Sequence, residues 1–241
     1  MNPTLNRKYF YGYGYTTDRA IVYRGVMNKI FNLFIILLLF AAVEWYVIGA
    51  YPPLGLMLMV GGFILGFVFA LITIFMKKYA AVTAPVYAAA EGISLAGISI
   101  IFESIYPGIV FQAVLLTFAV FLIMYLLYRT GIIRVTQRYI MIVAAATGAI
   151  LVLYILSFIL SFLGYGIPYI HSNGLIGIGF SLLVVGVAAA NLAVDFHMIE
   201  RYSERDLPSY MQWYAAFGLM VTLVWLYIEI LRLLAKLRSR D

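Results

Sequence analysis

The sequence contains no cysteine. Disulfides and thiolate-held metals are therefore excluded. Histidine is nearly absent: the chain has His171 and His197 only, so a three-histidine zinc site cannot be built. No nucleophile–histidine–acid set can be assembled from two peripheral histidines either, and an enzyme is not expected. Charge is scarce as well. Only 11% of the 241 residues are charged, against 65% hydrophobic, and the mean hydropathy is +1.02. Soluble domains carry roughly a quarter charged residues, so the composition is that of an integral membrane protein. The net charge of +6 is not a nucleic-acid footprint, because the cations fall at the ends of apolar runs. The expected surroundings are the lipid bilayer, with no nucleic-acid partner.

The apolar sequence is divided into seven runs long enough to cross a bilayer as helices. They are Ile30–Ile48, Leu54–Phe75, Ala84–Phe102, Ile109–Leu127, Tyr139–Leu163, Leu175–Ile199 and Met211–Leu234. Turn residues separate several of them: Tyr51-Pro52-Pro53, Tyr106-Pro107-Gly108 and the stretch from Gly164 to Pro168. The connections are short, so successive helices are expected to be antiparallel neighbours. The fold class this predicts is an all-α membrane protein, a seven-transmembrane-helix bundle forming one domain over residues 25–237. The polar, basic start MNPTLNRKYFYGYGYTTDRAIVYRG is followed by no short apolar core with a small-residue cleavage site, so no signal peptide is expected. Residues 1–24 read as a flexible cytoplasmic segment. Residues 20–28 are amphipathic enough to lie on the membrane surface.

Lys and Arg set the orientation. Arg7, Lys8, Arg19, Arg24 and Lys29 lie before or at the start of the first run, Lys77 and Lys78 in the second connection, Arg129, Arg134 and Arg138 in the fourth, and Arg201 and Arg205 in the sixth. The first, third and fifth connections carry none. The charged side belongs in the cytoplasm. A multi-pass protein of the cell membrane with its N-terminus inside is therefore expected. Seven crossings then put Arg232, Lys236, Arg238 and Arg240 toward the outer side, against the same rule. Either the last run is re-entrant or it crosses fully and carries these cations with it. Met211–Leu234 is long enough and unbroken, so the full crossing is expected.

Five polar residues lie inside the spans: Glu44, Glu91, Asn191, Asp195 and Glu229. An acid at membrane depth must face the bundle interior or a wet cavity. Glu44, near the outer end of the first run, is expected to snorkel to the interface. Glu229 precedes Arg232 by three residues, the spacing of a local ion pair. Glu91 and Asp195 have no basic residue at i±3 or i±4, so each must be protonated or water-bound, and both are candidates for function. Asp195 closes a small and polar helical face with Gly177, Ser181, Ala188 and Asn191. A similar face in the last run holds Gly218, Thr222, Trp225, Glu229, Arg232 and Lys236. Gly92, Ala96 and Ser99 form a small-residue seam beside Glu91. The turn between the last two runs centres near Leu207-Pro208, which puts Asp195 and Thr222 at one depth. Glu229 is ~10 Å further along the same face at 1.5 Å per residue. His171 in an outer loop and His197 at the cytoplasmic edge read as solvated.

The stretches APVYAAAEGISLAGIS at 84–99, GIVFQAVLLTFAVFLIMYLLYRTGIIRVT at 108–136, NLAVDFHMIE at 191–200 and AFGLMVTLVWLYIEILRLLAKL at 216–237 resemble the Bax inhibitor family. This is also called the transmembrane Bax inhibitor motif family, and the resemblance is to its prokaryotic branch. The resemblance covers residues 25–237. It implies a central seventh helix ringed by six others and a slow, pH-sensitive calcium leak, latched by an acid on helix six and an acid on helix seven that share a proton. Asp195 matches the first acid. Thr222 stands where the second would fall, so this chain departs from the two-acid pattern.

The function expected is a pH-sensitive cation leak, calcium foremost, gated by Asp195. Glu91, Glu229, Thr222, Asn191 and Arg232 are further candidates for the ion pathway. No resident metal or cofactor is expected beyond calcium passing transiently through the pore. The alternative is a stress-response interaction protein that modulates a membrane protease or another membrane complex. That role would load the cytoplasmic loops and the N-terminus instead of Asp195.

Overall fold

The computed structural model describes residues 15–164, 174–203 and 210–239. Among these residues seven α-helices follow one another: α1 (Tyr15–Ala50), α2 (Pro52–Phe75), α3 (Ala80–Ile105), α4 (Ile109–Arg129), α5 (Gln137–Phe162), α6 (Leu175–Ser203) and α7 (Tyr210–Arg238). All seven are long and apolar enough to span a membrane. A single 3₁₀ turn at Lys77–Tyr79 joins α2 to α3. The stretch 20–28 is continuous with α1, which runs unbroken from Tyr15. Residues 1–14 and His171 lie outside the described residues.

Local chemistry sets the helix ends. Pro52 and Pro53 open α2, where a missing N–H costs nothing because the first turn has no intrahelical acceptor. Gly108 takes a φ of 79°, which only glycine adopts freely, and this reverses the chain between α3 and α4. Glu103 then reaches across the turn: its carboxylate accepts from Gly108 N at 2.5 Å and Val110 N at 3.0 Å. An acid there satisfies exposed donors at the positive end of α4. On the opposite side of the bundle Thr136 caps α5, its hydroxyl accepting from Tyr139 N at 3.2 Å.

In lipid, apolar side chains gain little by leaving hydrocarbon for a protein interior, so small residues that let backbones approach decide the packing. Gly62 of α2 faces Ala90 O and Ser94 Oγ of α3, at 2.8 and 2.9 Å from where a Cβ would sit. Ser94 Oγ also donates toward Met59 O of α2 at 3.3 Å. Gly92 faces the α1 backbone at Leu37 and Ala41. In the seam read beside Glu91, Gly92 is thus where α1 packs and Ser99 bonds Tyr227 of α7, while α2 packs on the neighbouring face at Ala90, Ser94 and Gly97. Near the other end of the α2–α3 pair, Thr73 donates to Thr83 at 2.7 Å.

α7 and α3 are the two most buried of the described helices. α7 packs against α1, α3, α4 and α6. One apolar core joins it to α4 and α6 through Ala113, Leu192, Leu219, Leu226 and Leu231. A second joins it to α1 and α3 through Leu33, Tyr87, Phe217 and Met220. α5 packs on α6, and α2 on α1 and α3, so the ring around the central helix is uneven. The outer faces of α2, α4 and α5 carry large exposed apolar side chains such as Met57, Phe63, Phe111 and Phe158. These are the surfaces for lipid.

Candidate functional site

Asp195 sits on α6 where it meets α7. Its Oδ1 lies 4.0 Å from the position a Cβ on Gly218 would occupy, which places the carboxyl opposite Gly218 at ordinary contact distance. The Thr222 hydroxyl, one turn further along α7, interacts with the same carboxyl. That hydroxyl also lies 3.3 Å from Gly218 O, to which it donates. It has one proton, and the backbone carbonyl and the carboxylate compete for it. Asp195 Oδ2 is buried and has no hydrogen-bond partner. An unmatched carboxyl oxygen at membrane depth is a costly arrangement, relieved by a proton, a water or a cation.

The other candidates divide into separate groups. Asn191 turns to α5, donating to Thr147 Oγ1 at 2.8 Å and to Val187 O of its own helix at 3.0 Å. Glu91 faces α2. Its Oε1 is 3.2 Å from where a Cβ on Gly66 would be, and Tyr87, one turn earlier on α3, hydrogen-bonds to it. Tyr87 is 3% exposed and packs edge-on against Phe217 of α7, with ring centroids 5.0 Å apart. Among the described residues no hydrogen bond joins Glu91 to Asp195, and the Tyr87–Phe217 ring pair is one link between the Glu91 side of α3 and α7.

Glu229 is 1% exposed. Arg232 donates to it at 3.1 Å, the local ion pair expected from the spacing. Tyr154 of α5 donates toward both of its oxygens, at 3.0 and 3.1 Å, and the Arg232 guanidinium lies over the Tyr154 ring, 5.5 Å from its centroid. Glu229 is therefore tied to α5 and to its own helix, away from Asp195. One turn on, Lys236 donates to Gly177 O and Ser181 Oγ of α6 at 3.0 and 2.8 Å. Arg238 donates to Pro107 O at 2.7 Å and Gln112 Oε1 at 3.1 Å. These bonds show what the basic end of the last run is attached to. α7 is one unbroken helix, and two of its terminal cations, Lys236 and Arg238, are held by acceptors on α6, on α4 and in the α3–α4 connection, while Arg232 is held by Glu229 of α7 itself.

Two expectations are corrected. Glu44 does not snorkel. It is 1% exposed, and its Oε1 is buried without a hydrogen-bond partner. The α1–α2 hairpin packs tightly near its tip, with Gly55 directly against Ile48, and Glu44 is covered although its neighbours Trp45 and Tyr46 are exposed. His197 is not simply solvated. Its Nδ1 lies 3.4 Å from Tyr128 Oη of α4, and Tyr128 donates to Glu200 one turn away. Among the described residues no three His, Asp or Glu side chains converge as a metal site would require.

Tyr154 is the participant that sequence reading missed. It is one of 20 tyrosines, and nothing near it in sequence marks it, because its partner is on another helix. Tyr87 could have been found, since it stands one turn before Glu91.

Seven membrane-length helices around a shared core, with carboxyls buried among them, define a polytopic all-helical membrane protein. Within that class, the chain belongs to the Bax inhibitor 1 like family, which matches it over residues 2–239. No curated protein matches the sequence.

Proposed function

We propose that this protein is a pH-responsive cation leak of the cell membrane, with calcium the leading ion and Asp195 the gating group. The observation that carries the reading is the Asp195 carboxyl: buried at the α6–α7 contact, opposite Gly218 and Thr222, with Oδ2 unmatched. Carboxylate, hydroxyl and carbonyl oxygens are the hard ligands that suit calcium. Here one of each lies within a turn of α7. When ionised, Asp195 supplies a negative charge at its depth of the bundle; when protonated, it supplies none. With Thr222 in place of a second acid, no shared proton couples two titrations. The pH response should then be that of a single site, shallower than in a two-acid relative. Glu229, already engaged by Tyr154 and Arg232, is a structural tie in this reading and matters less for gating. The N-terminus lies in the cytoplasm, on the side that carries Lys77, Lys78, Arg129, Arg134 and Arg138.

The test is calcium flux through purified protein in liposomes across a pH series. Asp195→Asn, which mimics the protonated acid, should hold the flux at one level at every pH. A wild-type protein without flux at any pH, or an Asp195→Asn variant with the wild-type profile, defeats the reading. The interaction-protein alternative would then lead.

A further inference from the structure

At the C-terminal end of α7 the bundle holds a cavity of about 280 Å³, bounded by α3, α5, α6 and α7 and lined by Tyr106, Tyr154, Ser181, Arg232, Lys236 and Ser239 among others. We propose that this cavity binds a phosphate-type oxyanion on the free edge of Arg232. The guanidinium is fixed in two ways before any ligand arrives. Nη1 is held by Glu229 at 3.1 Å, and the plane is held over the Tyr154 ring, 5.5 Å from its centroid. The Arg232 side chain is nevertheless 48% exposed, and among the described residues its hydrogen-bond partners are Glu229 and the Tyr154 hydroxyl, both on one side of the guanidinium's reach. A planar fork with one edge pinned and the other open is the geometry that takes two oxygens of a phosphate or carboxylate side by side.

The surroundings favour an anion over a cation. Two cations, Arg232 and Lys236, line the cavity against one acid, Glu229, which is 1% exposed and already bound by Arg232 and Tyr154. Lys236 is placed on the wall by its bonds to Gly177 O and Ser181 Oγ. Ser181 receives that bond and keeps its own hydroxyl proton to give. At roughly 30 Å³ per water the space holds about nine waters, room for one such anion with part of its hydration. A tetrahedral anion suits the site better than a flat carboxylate, because the Arg232 guanidinium belongs to α7 and the Ser181 hydroxyl to α6, so donors come from two walls of the cavity. The oxyanion could be free phosphate or the headgroup of an anionic phospholipid, since this end of α7 is a membrane-interface position; the shared chemistry is the phosphoryl group.

The experiment uses the full chain in an uncharged maltoside detergent. Inorganic phosphate is titrated calorimetrically, and phosphatidylglycerol and phosphatidylcholine are added separately and followed by native mass spectrometry. Phosphate binding that weakens roughly tenfold or more in Arg232→Lys, which keeps the charge but loses the fork, supports the site as one for the free anion. Retention of phosphatidylglycerol over phosphatidylcholine, lost in Arg232→Lys while free phosphate does not bind, supports the headgroup. If the Arg232 variant does not fold, Ser239→Glu is the second probe. Ser239 is exposed on the cavity wall, so the substitution leaves packing intact and should abolish binding by repulsion. The proposal is overturned if neither phosphate nor phosphatidylglycerol binds, or if binding is unchanged in the variant that folds.

Discussion

Replacing Gly92 by alanine tests how the bundle is held together. A Cβ on Gly92 would lie 3.1 Å from the Leu37 carbonyl carbon and 3.2 Å from Ala41 N, and closer still to Leu37 O. All three atoms are backbone, so no rotamer change relieves the clash. The α1 backbone must retreat on the order of 1 Å to restore ordinary contact. Overpacking of this kind costs roughly 1–3 kcal/mol. Alanine also returns about 0.5–1 kcal/mol through its better helix propensity. The net expectation is a loss of roughly 0.5–2 kcal/mol. Gly61→Ala on α2 is the control, because nothing lies within 4 Å of its Cβ position. It gains the propensity term without the clash and should be neutral or slightly stabilised. Reversible unfolding in mixed micelles, followed by circular dichroism, measures both. The reasoning is refuted if Gly92→Ala is as stable as Gly61→Ala.

Tyr154→Phe removes the hydroxyl that serves both oxygens of Glu229 and should cost about 1–3 kcal/mol in the same assay, with Arg232→Gln costing more, roughly 3–5 kcal/mol, because it leaves a buried carboxylate without its cation. A Tyr154→Phe variant of wild-type stability would show the bond to be idle. Thr222→Asp puts an acid opposite Asp195, and the pH profile of calcium flux in liposomes should steepen as two titrations couple; an unaltered slope would mean that the two positions do not sense each other. A cysteine in place of Thr4 should resist an impermeant thiol reagent applied to intact cells and react after lysis, and labelling from outside would reverse the orientation.

Some of this arrangement was legible in the amino-acid sequence, and the part that was not has a common cause. The seven helices follow from apolar run length and from Pro52, Pro53 and Gly108, all local signals. The Glu229–Arg232 pair follows from a spacing of three. The meeting of Asp195 with Gly218 and Thr222 was readable because α6 and α7 form a hairpin, in which depth can be counted from the turn. Glu44 misled because its cover comes from the folded bundle, and position near the end of an apolar run does not say whether another helix will lie over it. The basic end of α7 misled for the same reason. A charge rule counts cations, but it cannot know that Lys236 and Arg238 have acceptors waiting on α6 and beside α4. Tyr154 on α5 acts on Glu229 of α7, two helices on, so neither periodicity along one helix nor a count from a single turn says anything about its partner.

The place of α7 has a consequence for how the protein is made. It follows the other six helices in the chain, yet α1, α3, α4 and α6 all pack on it. While those helices emerge from the ribosome and enter the bilayer, the surface they are shaped to grip does not yet exist. Leu33, Tyr87 and Leu192, fully covered in the finished bundle, must meanwhile meet lipid, a loose neighbour or the insertion machinery. Arrival of α7 is thus the event that fixes the positions of the rest, and its Lys236 and Arg238 find their acceptors only if α6 and the α3–α4 turn are already there. Synthesis order and architecture together make the bundle one that closes from its centre, late.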